Sequence, residues 1–146
     1  MTLVPPWAPP PNAGDVVQCR FPEGKAGKPG PKDRPALVLQ VEENPGDPLG
    51  VIVQVAFGTS QNVDQRYPGE LTISAADPKH GLSRDTKFDL GNSVRLPFDA
   101  EWFAPAPAPD RHFVEHPKRG ALNLRDQKVK RALQAAIVEA KTAGRI

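Results

Sequence analysis

Two clusters of side chains in this 146-residue chain are of types that handle phosphate. The first closes a loop of glycines, prolines and lysines, GKAGKPGPKDRP at residues 24–35, in which Lys25, Lys28 and Lys32 precede Arg34. A guanidinium presents a rigid fork of donors that matches phosphate oxygens in pairs, and it does not lose its charge. The second is Gly58-Thr59-Ser60-Gln61-Asn62, where hydroxyl and amide groups end an apolar run. Taken singly, each cluster has a simpler explanation: a surface hairpin loop kept soluble by its lysines, and a turn stabilised by its own side chains.

The elements around these clusters decide how firmly they are held. Arg34-Pro35 passes at once into Ala36-Leu37-Val38-Leu39, a short apolar run that reads as a buried strand and pins the arginine where a sheet begins. Before the loop, residues 14–21 alternate from Val17 onward until Pro22, and form a first strand; the second covers 35–42. Residues 44–50 are turn chemistry, 51–57 a third strand and 70–74 a fourth. Residues 86–90 and 93–98 read as a hairpin about Gly91-Asn92, and Glu101-Trp102-Phe103 ends the β part. Successive strands without intervening helices argue for an antiparallel meander that can close on itself. Residues 110–120 look polar and irregular. A helix then follows over 123–144, capped by Asn123 with Asp126 as a partial capping box and ended by Gly144. Its stripe is Val129, Leu133, Ala136, Ile137 and Ala140, with Arg125, Lys128, Lys130, Arg131 and Lys141 left to water.

Composition narrows the class. The length suits one compact domain, and eight of its 18 prolines gather into extended stretches at the start and after Phe103. The division that follows is a proline-rich lead (1–13), a β domain (14–104), an Ala/Pro linker with an irregular segment (105–122) and a helix (123–144). Net charge is +2 but uneven: residues 110–146 carry nine Lys and Arg against four Asp and Glu, a balance of +5, leaving −3 for the rest. A basic C-terminal part can face nucleic acid or an acidic protein, and equally can be a solvated helix face. The single cysteine, Cys19, excludes an internal disulfide and sits on the apolar side of its strand, as a structural thiol would. No apolar run approaches the roughly 20 residues of a membrane span. The first residues lack the pattern of a signal peptide, so a cytoplasmic protein is expected.

Other reactive residues form no pattern. His80, His112 and His116 are read as solvent-exposed, since no helix aims the last two and no cysteine or carboxylate completes a metal site. Asp85 and Asp89 carry no paired-carboxylate signature. Trp7, Phe57, Tyr67 and Trp102 could stack on bases, although Trp102-Phe103 reads as core. No glycine-rich nucleotide-binding motif is present.

Read together, the segments resemble the MazF/PemK family of bacterial toxins. The matching pieces are Gly14-Asp15-Val16-Val17 with Phe21-Pro22, the loop ending in Arg34-Pro35-Ala36-Leu37-Val38-Leu39, Gly58-Thr59-Ser60-Gln61, Tyr67-Pro68 with Glu70, Gly81-Leu82, and a C-terminal helix. The resemblance implies a mainly β (α+β) fold, a small SH3-like antiparallel β-barrel with a C-terminal α-helix. It also implies a homodimer that cuts single-stranded RNA without metal or cofactor and is neutralised by a cognate antitoxin. By the same resemblance Arg34 and Thr59 are catalytic, and Lys25, Lys28, Lys32, Ser60 and Gln61 bind the substrate. The loop departs from the family pattern: Pro29, Gly30 and Pro31 stand where an acidic and a polar residue are common, and Asp33 abuts Arg34. An anion there either positions the arginine or competes with phosphate. The alternatives are a catalytically inactive barrel that binds nucleic acid or a protein partner, and an interaction module working through its basic helix.

Overall fold

The computed structural model describes residues 9–22, 27–106 and 116–146. Lys25, Trp7 and His112 lie outside the described residues. Six strands form one antiparallel sheet: β1 (Asp15–Cys19), β2 (Arg34–Asn44), β3 (Asp47–Thr59), β4 (Glu70–Ile73), β5 (Thr86–Pro97) and β6 (Lys118–Ala121), followed by helix α1 (Gln127–Thr142). The spatial order is β4-β5-β3-β2-β1-β6. Pairing leaves the sheet open, with β4 and β6 at its two edges, so the expected closed barrel is met only as a mainly antiparallel sheet with one C-terminal helix. The outer side of β6 is occupied instead by the 3₁₀ turn Pro78–His80 and Gly81. A Cβ on Gly120 would lie 2.4 Å from Lys79 O, and one on Gly81 would lie 1.9 Å from Arg119 O. Gly81 also has φ +66°, a conformation that favours glycine. A turn packed on the backbone of an edge strand protects that edge from further pairing.

The apolar run of β2 is buried on both faces and separates two cores. Leu37 packs with Val16, Phe88, Leu90 and the helical residues Val129, Ala136 and Ala140. Its neighbours Ala36 and Val38 face the other way, onto Val17, Val53, Val55, Leu96 and Phe103. Cys19 belongs to this second core, where burial pushes its thiol up to about 12, so it is an inert apolar filler. Phe103 bridges to Cys19 and is fully buried, as expected of a residue closing the core.

Several sequence expectations need correction. Gly91-Asn92 does not reverse the chain: β5 runs through it, and both halves pair with β3. The register passes from Phe57↔Asp89 to Ala56↔Ser93, so Leu90, Gly91 and Asn92 are taken up as a bulge. Leu90 is buried in the helix-side core and keeps the bulge in the sheet, while Arg145 lies over Gly91 where a side chain would stand. The turn after β2 contracts to Pro45-Gly46, with Asn44 paired to Asp47. The end of the supposedly irregular segment is β6, paired to β1. Helix α1 starts later than expected, capped by Asp126, whose carboxylate accepts from Lys128 N at 2.9 Å. Asn123 instead donates its amide to Asp77 Oδ2 at 2.9 Å. The stripe from Val129 to Ala140 packs as read, on β4 and β5, and the five basic helix-region residues stay exposed.

His80 is buried, contrary to the expectation of exposure. Its Nδ1 lies 2.9 Å from Ser74 O, and since a carbonyl only accepts, Nδ1 carries the proton. His116 is half-buried, and burial first, then Lys118, holds it below the ordinary histidine range. Asp85 and Asp89 serve different loops, accepting from Ala75 N and from Gly91 N and Arg145 respectively. Among the described residues no helix is long and apolar enough to cross a membrane.

Candidate functional site

The two phosphate-handling clusters are brought together by strand register. In β1 and β2, Cys19 faces Arg34; in β2 and β3, Ala36 faces Phe57. Continuing the second register by two residues sets Arg34 beside Thr59, at the ends of adjacent strands. Gly58 makes that approach possible. A Cβ there would sit 2.4 Å from Pro35 O and 2.7 Å from Phe88 Cε1, closer than real contacts allow. Gly58→Ala is therefore expected to lower stability by about 1–3 kcal/mol through overpacking, and to impair any activity that needs the Arg34–Thr59 pairing. Chemical denaturation, read beside the activity assay described below, checks both effects.

An open cleft of about 200 Å³ lies at this corner, lined by Gln18, Asp33, Arg34, Pro35, Gly58, Thr59, Ser60, Ser83, Arg84, Thr86 and Arg119. Arg34 and Thr59 are both half-exposed, and Ser60 is exposed. The Thr59 hydroxyl accepts from Gln61 N at 3.1 Å, which orients its oxygen and leaves its own proton to donate. Of the residues expected to bind a ligand, Arg34, Thr59 and Ser60 share the cleft. Gln61 contributes its backbone amide to Thr59, and its side chain is not among those lining the cleft. Lys28 and Lys32 are exposed and do not line it; at most they could act on a chain that extends beyond it.

Sequence reading missed the cleft's opposite wall. Arg119 of β6 donates from Nη1 to Gln18 Oε1 at 2.6 Å and from Nε to Gly81 O at 3.0 Å. Gln18 Nε2 in turn donates to Asp33 Oδ2 at 2.6 Å. Asp33 thus accepts from Gln18, which ties the residue before Arg34 to β1. Burial pulls Arg119 below its ordinary value, and the nearby Asp33 offsets this in part. The available signal was Gln18 itself, a polar residue between the apolar Val17 and Cys19, buried on its strand. Arg119 had none, because its strand is too short and too polar to read. Among the described residues no three His, Cys, Asp or Glu side chains gather as a metal site would need.

Comparison with models of protein families matches residues 12–96, more than half the chain, to the PemK-like, MazF-like toxins of type II toxin–antitoxin systems. The match includes β1 to β4, nearly all of β5, and every cleft residue except Arg119. A search of curated proteins finds no match.

Proposed function

Because the chain belongs to the PemK-like, MazF-like family of type II toxin–antitoxin toxins, we propose that it is an endoribonuclease that cuts single-stranded RNA without a metal ion. The observation that carries this reading is the sharing of one open cleft by Arg34, Thr59 and Ser60. In RNA the nucleophile comes with the substrate. The ribose 2′-oxygen attacks the adjacent phosphorus and loses its proton as the new O–P bond forms; the bond to the 5′-oxygen breaks, and that oxygen takes up a proton. The protein's task is to align this displacement and to stabilise the charge gathering on the phosphoryl oxygens. Arg34 holds those oxygens, Thr59 and Ser60 donate to them, and Asp33 is the cleft's carboxylate for the 2′-hydroxyl proton. Lys25, Lys28 and Lys32 attract the strand by charge along the loop that leads to Arg34.

The toxin family implies a cognate antitoxin as partner. We further propose that the protein is a cytoplasmic homodimer with the SH3-like barrel of its family. The second core supports the barrel: Val17, Ala36, Val53, Val55 and Phe103 are buried on a side of the sheet with no helix residue in their cluster. A face buried without a covering layer requires strands that curl over themselves.

The purified protein is expected to cut single-stranded RNA in excess EDTA, leaving 5′-hydroxyl ends, and to leave the same sequence intact as DNA, which lacks the attacking hydroxyl. Binding of RNA without cutting would replace this reading with that of an inactive nucleic-acid-binding relative. Abolition of cutting by EDTA, restored by a divalent ion, would overturn the metal-free mechanism.

A further inference from the structure

We propose that Arg119 is a second phosphate-holding guanidinium of the cleft, supplied by a strand beyond the family-matched stretch, and that Gln18 positions it. The proposal rests on reading the cleft as a nucleic-acid site. Its substance is that the ligand must carry at least two successive backbone phosphates, one at Arg34 and one at Arg119.

The guanidinium is held as a binding group is held. Its Nε and Nη1 are engaged by Gly81 O and Gln18 Oε1, two neutral acceptors on different elements, which fixes the plane of the fork. Behind it the backbone is constrained on both sides, by Gly81 against Arg119 O and by Gly120 against Lys79 O and His80 O. Nη2 keeps two further donors, and among the described residues no carboxylate comes within ion-pair distance of Arg119. The nearest anion in the network, Asp33, is separated from it by the Gln18 amide, which accepts from the cation and donates to the anion. Gln18 is 6% exposed, so this amide is a buried spacer and not a mobile surface group. A guanidinium half-removed from water and joined only to neutral acceptors is under-compensated, and an incoming phosphate oxygen supplies what the protein withholds. The effect of burial on its proton affinity has the same sign. Arg34 and Arg119 reach the cleft from strands on either side of β1, an arrangement suited to a chain lying across the strand ends.

The test is equilibrium binding of a short 2′-O-methyl RNA oligonucleotide, which cannot be cleaved through its 2′-oxygen, followed by fluorescence anisotropy over a range of salt concentrations. Arg119→Ala is expected to weaken binding about tenfold and to reduce the slope of log affinity against log salt by about 0.7, the contribution of one phosphate contact on a single strand. Arg119→Lys should keep the slope while losing affinity, since it retains the charge without the fork. It also carries the test if the alanine variant fails to fold. Gln18→Ala should weaken binding by letting Asp33 pair with Arg119, and adding Asp33→Asn should restore it, a rescue that a merely structural glutamine would not show. Unchanged affinity and slope in Arg119→Ala overturn the proposal, as does a normal slope with no rescue in the Gln18 pair. If wild type cuts ordinary RNA while Arg119→Ala binds normally, the second anchor alone is wrong. If wild type binds through Arg119 without cutting, the cleavage reading alone is wrong.

Discussion

Arg34→Ala is expected to reduce the rate of RNA cleavage at least about 100-fold, the usual cost of removing one preorganised donor from a developing oxyanion. The loss should fall mainly on kcat, because charge on the phosphoryl oxygens grows toward the transition state and the guanidinium therefore contributes more there than in the ground state. Arg34→Lys keeps the charge but not the paired geometry, and is expected to recover only a small part of the rate. The arginine owes its position to the rigidity of β2, which continues directly into the buried run from Ala36 to Val38. Single-turnover cleavage of one labelled RNA by the three proteins, each confirmed folded by circular dichroism, measures the effect. An alanine variant that cuts within tenfold of wild type would show that the cleft works without this guanidinium and would sink the catalytic assignment.

Lys87→Met is expected to destabilise the fold by about 3–5 kcal/mol, because it strands a buried carboxylate. Lys87 and Glu70 are nearly inaccessible, with side chains 7% and 11% exposed, and Lys87 Nζ lies 3.2 Å from Glu70 Oε1. The same ammonium donates to Gln65 O at 2.8 Å and lies 5.5 Å from the centre of the Tyr67 ring, while Glu70 Oε1 accepts from Tyr67 N at 2.7 Å. One ion pair therefore ties down residues 65–70, the stretch leading from the cleft into β4. It also stands across from the site, since Lys87 is the β5 partner of Thr59. Replacing both members, Lys87→Met with Glu70→Leu, should restore most of the lost stability, because two apolar side chains leave no charge to solvate. Urea denaturation of the single and double variants decides the matter. Equal losses in both would mean that the pair acts through packing alone. Cleavage by the double variant would further report how far the Thr59 end of β3 depends on this tether.

Membership of the toxin family implies an antitoxin as partner. Helix α1 is bound to the loop before β4 by Glu139, which accepts from Arg66 and, at 3.1 Å, from Gly69 N. These bonds, that from Arg66 first, hold the Glu139 carboxyl below its usual range. The anchorage leaves Leu124, Val138 and Ile146 exposed along the C-terminal part of the chain.

Local chemistry along the chain determined a good deal of this protein. Two-residue alternation marks β1, an unbroken apolar run marks β2, turn residues mark a reversal after β2, and helical spacing marks the stripe from Val129 to Ala140, because each is written in consecutive or near-consecutive positions. The placement of Arg34 and Thr59 at strand ends was also legible, since each borders an apolar run that the sheet must bury. What only the tertiary structure decided depends on partners distant in sequence. Gly91-Asn92 has the chemistry of a reversing turn, yet burial of Leu90 and pairing on both sides of it to β3 make it a bulge. Arg119 reaches Gln18 across 101 positions, and nothing near it in the chain announces a strand. Side chains of such different origin meet in one cleft because strand register, unlike propensity, is settled by which faces the whole sheet can bury at once.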